Sequence, residues 1–423
     1  MADHDSKCGW FWLIVSLLSA FSMWHYVNYV WSAGQPAQFS DLYARWWGAR
    51  ELLLHQRDPY SVEVSREIQA VIYGAPQAAA NAGYPDQQAG GFAYPAYVVF
   101  LMWPTVRLPF PVVRMIFAYL LPLFTLLSLA LWVYVLNWRP GLSRLAVVSI
   151  FLLGSFPFLQ GLKLQNLSLL VAFLVAAAIA CLVAGRFALA GVLLALASIK
   201  PHFVFLLVLW LVMWTVHDWS RRQRLAWGFL TVQALLLLGS EMLSPGWISR
   251  FWKVAQAYRQ YTYGHSLLDV WLSPRFGPYA AAVLVLAVLI LCWPCRSCET
   301  RTSGFFLATS LVLATTLVVI PTLEPHAQLL LLPGFLFLLK YRREIWHSSR
   351  ETRLLVLSAW ILPAWAWTAA MAMTLAATWL PGEALQRHWI LPLSTSPLIP
   401  CGALLVLALL LHRQTGSSRS QEV

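Results

Sequence analysis

Apolar runs long enough, or nearly long enough, to cross a bilayer recur along the whole chain of 423 residues. About 20 apolar residues in a helix cover the hydrocarbon core. The pattern predicts spans at roughly 9–31, 112–136, 144–159, 167–184, 187–200, 203–216, 225–243, 277–294, 303–320, 327–339, 354–378 and 390–411. Several of these are shorter than a full crossing, so they are expected to be tilted, broken or extended by neighbouring loops. The expected fold is an all-α polytopic membrane protein with about 12 transmembrane helices, forming a single integral membrane domain over 1–423.

Two polar intervals are too long for plain hairpins. In the first, 32–111, the stretch Gln38 to Tyr60 has helical spacing, a start signal at Ser40-Asp41 and a closing Asp58-Pro59-Tyr60 turn. A second helical piece is predicted near Val62 to Tyr73, followed by the stretch APQAAANAGYPDQQAGG, which lacks apolar periodicity and reads as a mobile loop. Phe92 to Tyr97 then lead into an apolar run ending at Pro104. That run is too short to span, and a re-entrant path at membrane depth requires packing against protein. In the second interval, 244–276, Trp247, Phe251, Val254 and Tyr258 recur at three- and four-residue spacing with Arg250, Lys253 and Arg259 among them. This is the pattern of an amphipathic interfacial helix.

Composition supports the membrane reading: 60% of residues are apolar and only 11% charged. The 23 tryptophans and 24 prolines agree, because Trp favours interfaces and Pro is tolerated in spanning helices. A net charge of +12 without a long basic tract argues against a nucleic-acid partner. Its distribution serves topology instead. Arg139 and Arg144, Arg186, Arg221 to Arg224, Arg296 and Arg301, Lys340 to Arg353, and Arg413 and Arg419 all fall on one side if the spans are even in number. The positive-inside tendency then places both termini in the cytoplasm and 32–111 and 244–276 outside it. Of the six cysteines, Cys295 and Cys298 form a C-x-x-C in a basic loop. A zinc site would need a second pair, so these read as unpaired thiols. The apolar segment at 9–31 has no clear cleavage site after it and reads as an uncleaved span.

Sorted by side, the polar residues hardest to explain as loop decoration converge on the face opposite the basic loops: Asp41, the Gln160 to Asn166 turn, Lys200-Pro201-His202, Arg259 and Glu324-Pro325-His326. An ionisable group at membrane depth is expensive and points to function. Each has a plainer alternative. Asp41 could cap a helix, Lys200 could snorkel, Gln165 and Asn166 could cap the fourth span, His326 could be a packed histidine, and Arg259 could contact headgroups. One carboxylate with several remote cations fits a site that holds a phosphorylated lipid while a base acts on a hydroxyl.

These residues carry a resemblance. The order Asp41-Leu42-Tyr43 through Ala49 to Pro59-Tyr60, then Tyr94-Pro95, Gln165-Asn166, Lys200-Pro201 and Pro325-His326 resembles glycosyltransferase family 87, membrane enzymes of the GT-C class. The chain departs from the family pattern in lacking a glycine before Pro59-Tyr60, in having Leu164 before Gln165, and in having Asn166 directly follow the glutamine. The resemblance implies a GT-C-like fold in the plasma (inner) membrane of a bacterium. It implies inverting transfer of one hexose, mannose first, from a polyprenyl-phosphate sugar to a lipid-linked or envelope glycan, on the extracytoplasmic face. Asp41 would be the general base. Tyr43, Tyr60, Tyr94, Gln165, Asn166, Lys200, His202, Arg259, Glu324 and His326 would bind donor or acceptor. No cofactor and no metal are expected, since the chain lacks a tight D-x-D near Asp41 and cationic side chains can neutralise a phosphate leaving group. A transporter or flippase of a lipid-linked sugar, a purely structural membrane protein, and GT-C transferases of arabinose, aminoarabinose or protein-linked mannose are the competing readings.

Overall fold

The computed structural model describes residues 2–34, 40–73, 91–261, 265–321, 324–347, 349–380 and 396–419, and those residues are organised as helices and short connections. The long helix α1 (Ala2–Gly34) is followed by α2 (Asp41–His55), α3 (Val62–Tyr73) and the short α4 (Val98–Met102). Then come α5 (Phe110–Val135), α6 (Leu142–Leu153), α7 (Phe156–Leu164), α8 (Ser168–Val183), α9 (Phe187–Ala197), α10 (Pro201–His217) and α11 (Trp219–Leu243). The second polar interval holds α12 (Trp247–Tyr261) and α13 (Leu267–Leu272). The remainder comprises α14 (Gly277–Cys292), α15 (Ser303–Val319), a 3-10 segment (Pro325–Leu331) running into α16 (Leu332–Lys340), α17 (Arg342–Trp346), α18 (Arg350–Ala376) and α19 (Leu398–Arg419).

The predicted spans fall on helices wherever their residues are described, but not all twelve are full-length crossings. Among the described residues six helices are long and apolar enough to cross a membrane: α1, α5, α11, α14, α18 and α19. A seventh arises if α6 and α7, bent by 52° at their junction, act as one span. The other apolar helices are short. With its 11 residues, α9 reaches only about 16 Å at 1.5 Å per residue, half of a hydrocarbon core of about 30 Å. The physical reason lies at the breaks. Pro201 and Pro325 sit at the first position of α10 and of the 3-10 segment, where proline's missing N–H costs nothing but the preceding residue is forced out of helical geometry.

Apolar on all sides, α8 and α15 are buried on nearly all faces, as expected of helices enclosed by others. Equally apolar α14 buries little of itself, so its surface faces the surroundings of the bundle. Between these extremes, α9 packs on α8 and α11, α5 on α8, and α15 on α19. The α9–α11 crossing brings backbone against backbone. A side chain on Gly191 would strike the carbonyl of Leu225, and one on Gly228 the carbonyl of Ala188. Small residues at such crossings are a recurrent device in membranes.

The described residues of the first polar interval form a folded cap. Trp46 Nε1 donates to the Thr105 carbonyl at 3.1 Å and Arg50 Nη1 to that of Val106 at 2.9 Å, fastening α2 to the turn after α4. Arg57 holds Glu51 at 2.7 Å and Glu67 at 2.6 Å, joining α2 to α3. Its hydrogen bond keeps the Glu67 carboxyl below the usual range. The apolar run ending at Pro104 does not span. It forms α4 and a 3-10 turn with Val98, Val99 and Met102 fully buried, packed against protein as a re-entrant path requires. The amphipathic helix α12 is present, and Arg250 reaches Asp58 at 3.1 Å. The stretch 74–90 and the side chain of Arg259 lie outside the described residues.

Candidate active site

Ser40 starts α2. Its hydroxyl accepts the N–H of Leu42 at 3.3 Å and donates to Gln165 Oε1 at 2.9 Å. The N-cap is therefore Ser40, and Asp41 is the first residue inside the helix. That removes the capping explanation for Asp41 and leaves its carboxylate, 24% exposed, for other work. One turn along, Arg45 donates through Nη1 to the Asp41 carbonyl and stands 3.8 Å from Oδ1.

The turn between α7 and α8 meets this helix start. Gln165 takes the left-handed conformation, with φ 52°, and ends α7. Its side-chain Nε2 donates to the Arg114 carbonyl at 2.7 Å, so it ties α5 to Ser40. Asn166 uses both ends of its amide. Oδ1 accepts from the Ser168 N–H at 2.9 Å and hydroxyl at 2.7 Å, which starts α8, while Nδ2 donates to Asp41 Oδ2. Capping and positioning are thus the same act for this residue. Gly161 in α7 permits the 3-10 segment to approach, since a side chain there would press on Leu169 and the Cβ of His326.

Two charges precede the two helix-opening prolines, and they meet. Lys200 Nζ donates to Glu324 Oε2 and to Ser168 Oγ, each at 2.8 Å, and His326 Nε2 lies 2.8 Å from the same carboxylate oxygen. A continuous path of hydrogen bonds therefore runs from Asp41 through Asn166, Ser168 and Lys200 to Glu324 and His326. Lys200 is 3% exposed. It does not snorkel. Its ammonium has three N–H donors, and the path engages two of them. The guanidinium of Arg45 lies 4.2 Å and the Lys200 ammonium 5.8 Å from the ring centre of Tyr94, a polarisable wall between the two cations. The Tyr94 hydroxyl, His202 Nε2 and His326 Nδ1 are buried with no hydrogen-bond partner among the described residues, which leaves them for a ligand.

The structure thus brings together Asp41, Tyr94, Gln165, Asn166, Lys200, Glu324 and His326, with His202 following Pro201 at the same break. Tyr60 supports from behind, its hydroxyl donating to the Tyr94 carbonyl at 2.7 Å. Tyr43 is not in the polar cluster. It packs on Phe110 at 4.9 Å and Trp47 at 6.0 Å and anchors α2. Ser168, Ser40 and Arg45 are additions. Ser40 was legible as part of the helix-start signal and Arg45 by its i, i+4 spacing from Asp41. The charges of Arg45 and Lys200 are matched by those of Asp41 and Glu324, so the cluster is no bare cation trap. Among the described residues no three His, Cys, Asp or Glu side chains group to hold a metal.

A carboxylate at a helix start, wired to a buried lysine at broken helices, sits in a chain whose residues 92–321 match Glycosyltransferase family 87. The chain belongs to that family. The match covers more than half of the chain and contains Tyr94, Gln165, Asn166, Ser168 and Lys200; Asp41 and Glu324 to His326 flank it. No curated protein and no solved structure matches this family 87 member. As a family 87 protein it is a membrane glycosyltransferase of GT-C type.

Proposed function

We propose that this glycosyltransferase moves one hexose, mannose first, from a polyprenyl-phosphate sugar to a lipid-linked or envelope glycan, with inversion. The observation that carries the reading is the half-open Asp41 carboxylate joined to Lys200 through Asn166 and Ser168. In the proposed step the acceptor oxygen attacks the anomeric carbon and its proton passes to Asp41. The bond from that carbon to the phosphate oxygen breaks, and the polyprenyl phosphate leaves. The remaining donor of Lys200, with the Tyr94 hydroxyl, then faces the developing negative charge, where fixed donors in a dry site are most effective. With its Nε2–H donated to Glu324, a neutral His326 presents Nδ1 as an acceptor, suited to a sugar hydroxyl or a protonated phosphate oxygen.

Purified enzyme in lipid nanodiscs, given a panel of polyprenyl-phosphate hexoses, is expected to release polyprenyl phosphate fastest from the mannosyl donor. Turnover with nucleotide sugars and none with any polyprenyl-phosphate sugar would overturn the donor class.

The orientation proposed with it puts both termini and the basic loops in the cytoplasm of a bacterial plasma membrane, and α2 and α12 on the other face. In a background without native cysteines, Glu63→Cys is expected to react with an impermeant maleimide in intact cells and Glu344→Cys only after lysis. The reverse pattern would invert the topology.

A further inference from the structure

A cavity of about 210 Å³ opens where α5, α8 and α16 end and α15 begins. These elements also reach the Asp41 cluster. Gln165 binds the Arg114 carbonyl near the start of α5, α8 starts at Ser168, and Glu324 opens the segment that becomes α16. From Arg114 to Tyr134, at the cavity, α5 rises roughly 30 Å at 1.5 Å per residue, about one hydrocarbon thickness. The cavity therefore lies on the opposite side of the bundle from the proposed transfer site.

Its charge is one-sided. Arg301 and Lys340 line it, and no carboxylate does. Lys340 donates to the Leu136 carbonyl at 2.8 Å and to the Tyr341 hydroxyl at 2.9 Å, both neutral acceptors. That leaves one ammonium donor and the Tyr341 hydroxyl proton for a ligand. Among the described residues Arg301 makes no ion pair. Thr302 caps α15 here, so the positive end of a 17-residue helix faces the same space. Phe306 and Phe337 supply an apolar wall. The volume is below the roughly 300–1,000 Å³ of pockets for drug-sized ligands, which suits a headgroup rather than a nucleotide sugar.

We propose that this cavity is a second binding site, for a phosphate group of headgroup size, on the face opposite Asp41. Arg301 supplies the planar fork that matches phosphate oxygens and Lys340 a point charge. The phosphate could come from a lipid or from solution, and two probes separate these sources. Binding of dihexanoyl phosphatidic acid and of inorganic phosphate to the full-length enzyme in detergent is measured by calorimetry. Wild type is expected to bind, and Lys200→Met/Glu324→Gln, which removes the phosphate donor of the other face without leaving an unpaired carboxylate, is expected to keep the share of binding that belongs to this cavity. Arg301→Gln/Lys340→Gln is expected to bind at least about tenfold more weakly, given the strength of hydrogen bonds to charged groups. Arg301→Gln alone, a change at an exposed side chain that spares the fold, should show part of that loss, and Lys340→Arg should retain binding. Binding confined to phosphatidic acid supports a lipid headgroup, and equal binding of inorganic phosphate supports a soluble one. If neither probe binds wild type, or if the Arg301 and Lys340 variants bind as wild type does, there is no such site.

Discussion

Asp41→Asn protein is expected to insert and fold as wild type does and to transfer sugar about 10²–10⁴-fold more slowly, the usual worth of general-base assistance. The geometry makes this substitution unusually clean. Ser40 caps α2, so the cap survives. Asn166 donates its Nδ2 proton to Asp41 Oδ2, and an amide oxygen at that position can accept the same bond. Arg45 is held by the Asp41 backbone carbonyl, which the substitution leaves in place. What disappears is the capacity to take a proton from a sugar hydroxyl. Asp41→Ala would also lose the Asn166 contact and so confound chemistry with packing. The measurement is the initial rate at saturating donor, matched for folded protein. Equal rates for Asp41→Asn and wild type would reduce Asp41 to a partner for Asn166. Glu324, the next carboxylate, is a poorer base because Lys200 and His326 already occupy it.

Lys200→Met is expected to act twice. It strands Glu324, and breaking a buried pair from one side typically costs about 3–5 kcal/mol. It also removes a fixed donor from the departing phosphate, worth about 10²–10³ in turnover at comparable sites. Adding Glu324→Gln separates the two effects. The double variant no longer holds an unpaired carboxylate, so its thermal midpoint should recover most of the loss while its turnover stays low. Recovery of both stability and turnover would confine Lys200 to structure. Persistent instability of the double variant would mean that Ser168, whose hydroxyl Lys200 also engages, matters more to the fold than the pair does.

Much of this site was legible because it is built from local punctuation. Lys200-Pro201 and Glu324-Pro325 mark helix starts preceded by a residue that cannot be helical, and a charge at such a place in an apolar chain calls for a partner. Sequence does not say that each is the other's partner, since that contact joins positions 124 apart. Ser168 was invisible for the same reason: a serine opening an apolar helix reads as a cap until a lysine is found on it. Tyr43 is a case in which the motif position does not reveal the surroundings, which here are the aromatic rings that anchor α2. The division at Lys200 was legible as well, since spans at 187–200 and 203–216 are predicted apart. The residues from 187 to 216 are apolar almost throughout, yet the break at Lys200 divides them into helices of 11 and 17 residues.

That break has a consequence for how the protein is made. Chain emerges from the ribosome in order, so Lys200 enters the membrane long before Glu324 exists. An uncompensated lysine is costly in an inserting apolar segment, and less so near a helix end such as Lys200 occupies than at a helix centre; the neighbouring apolar residues of α9 and α10 carry that cost while α11 to α15 are synthesised. Only when the Glu324-Pro325 turn arrives can the early half of the bundle settle around its own lysine. The two halves are thereby bound into one cooperative unit, and a nascent chain that stops short of residue 324 holds Lys200 by the Ser168 hydroxyl without the carboxylate that pairs with it.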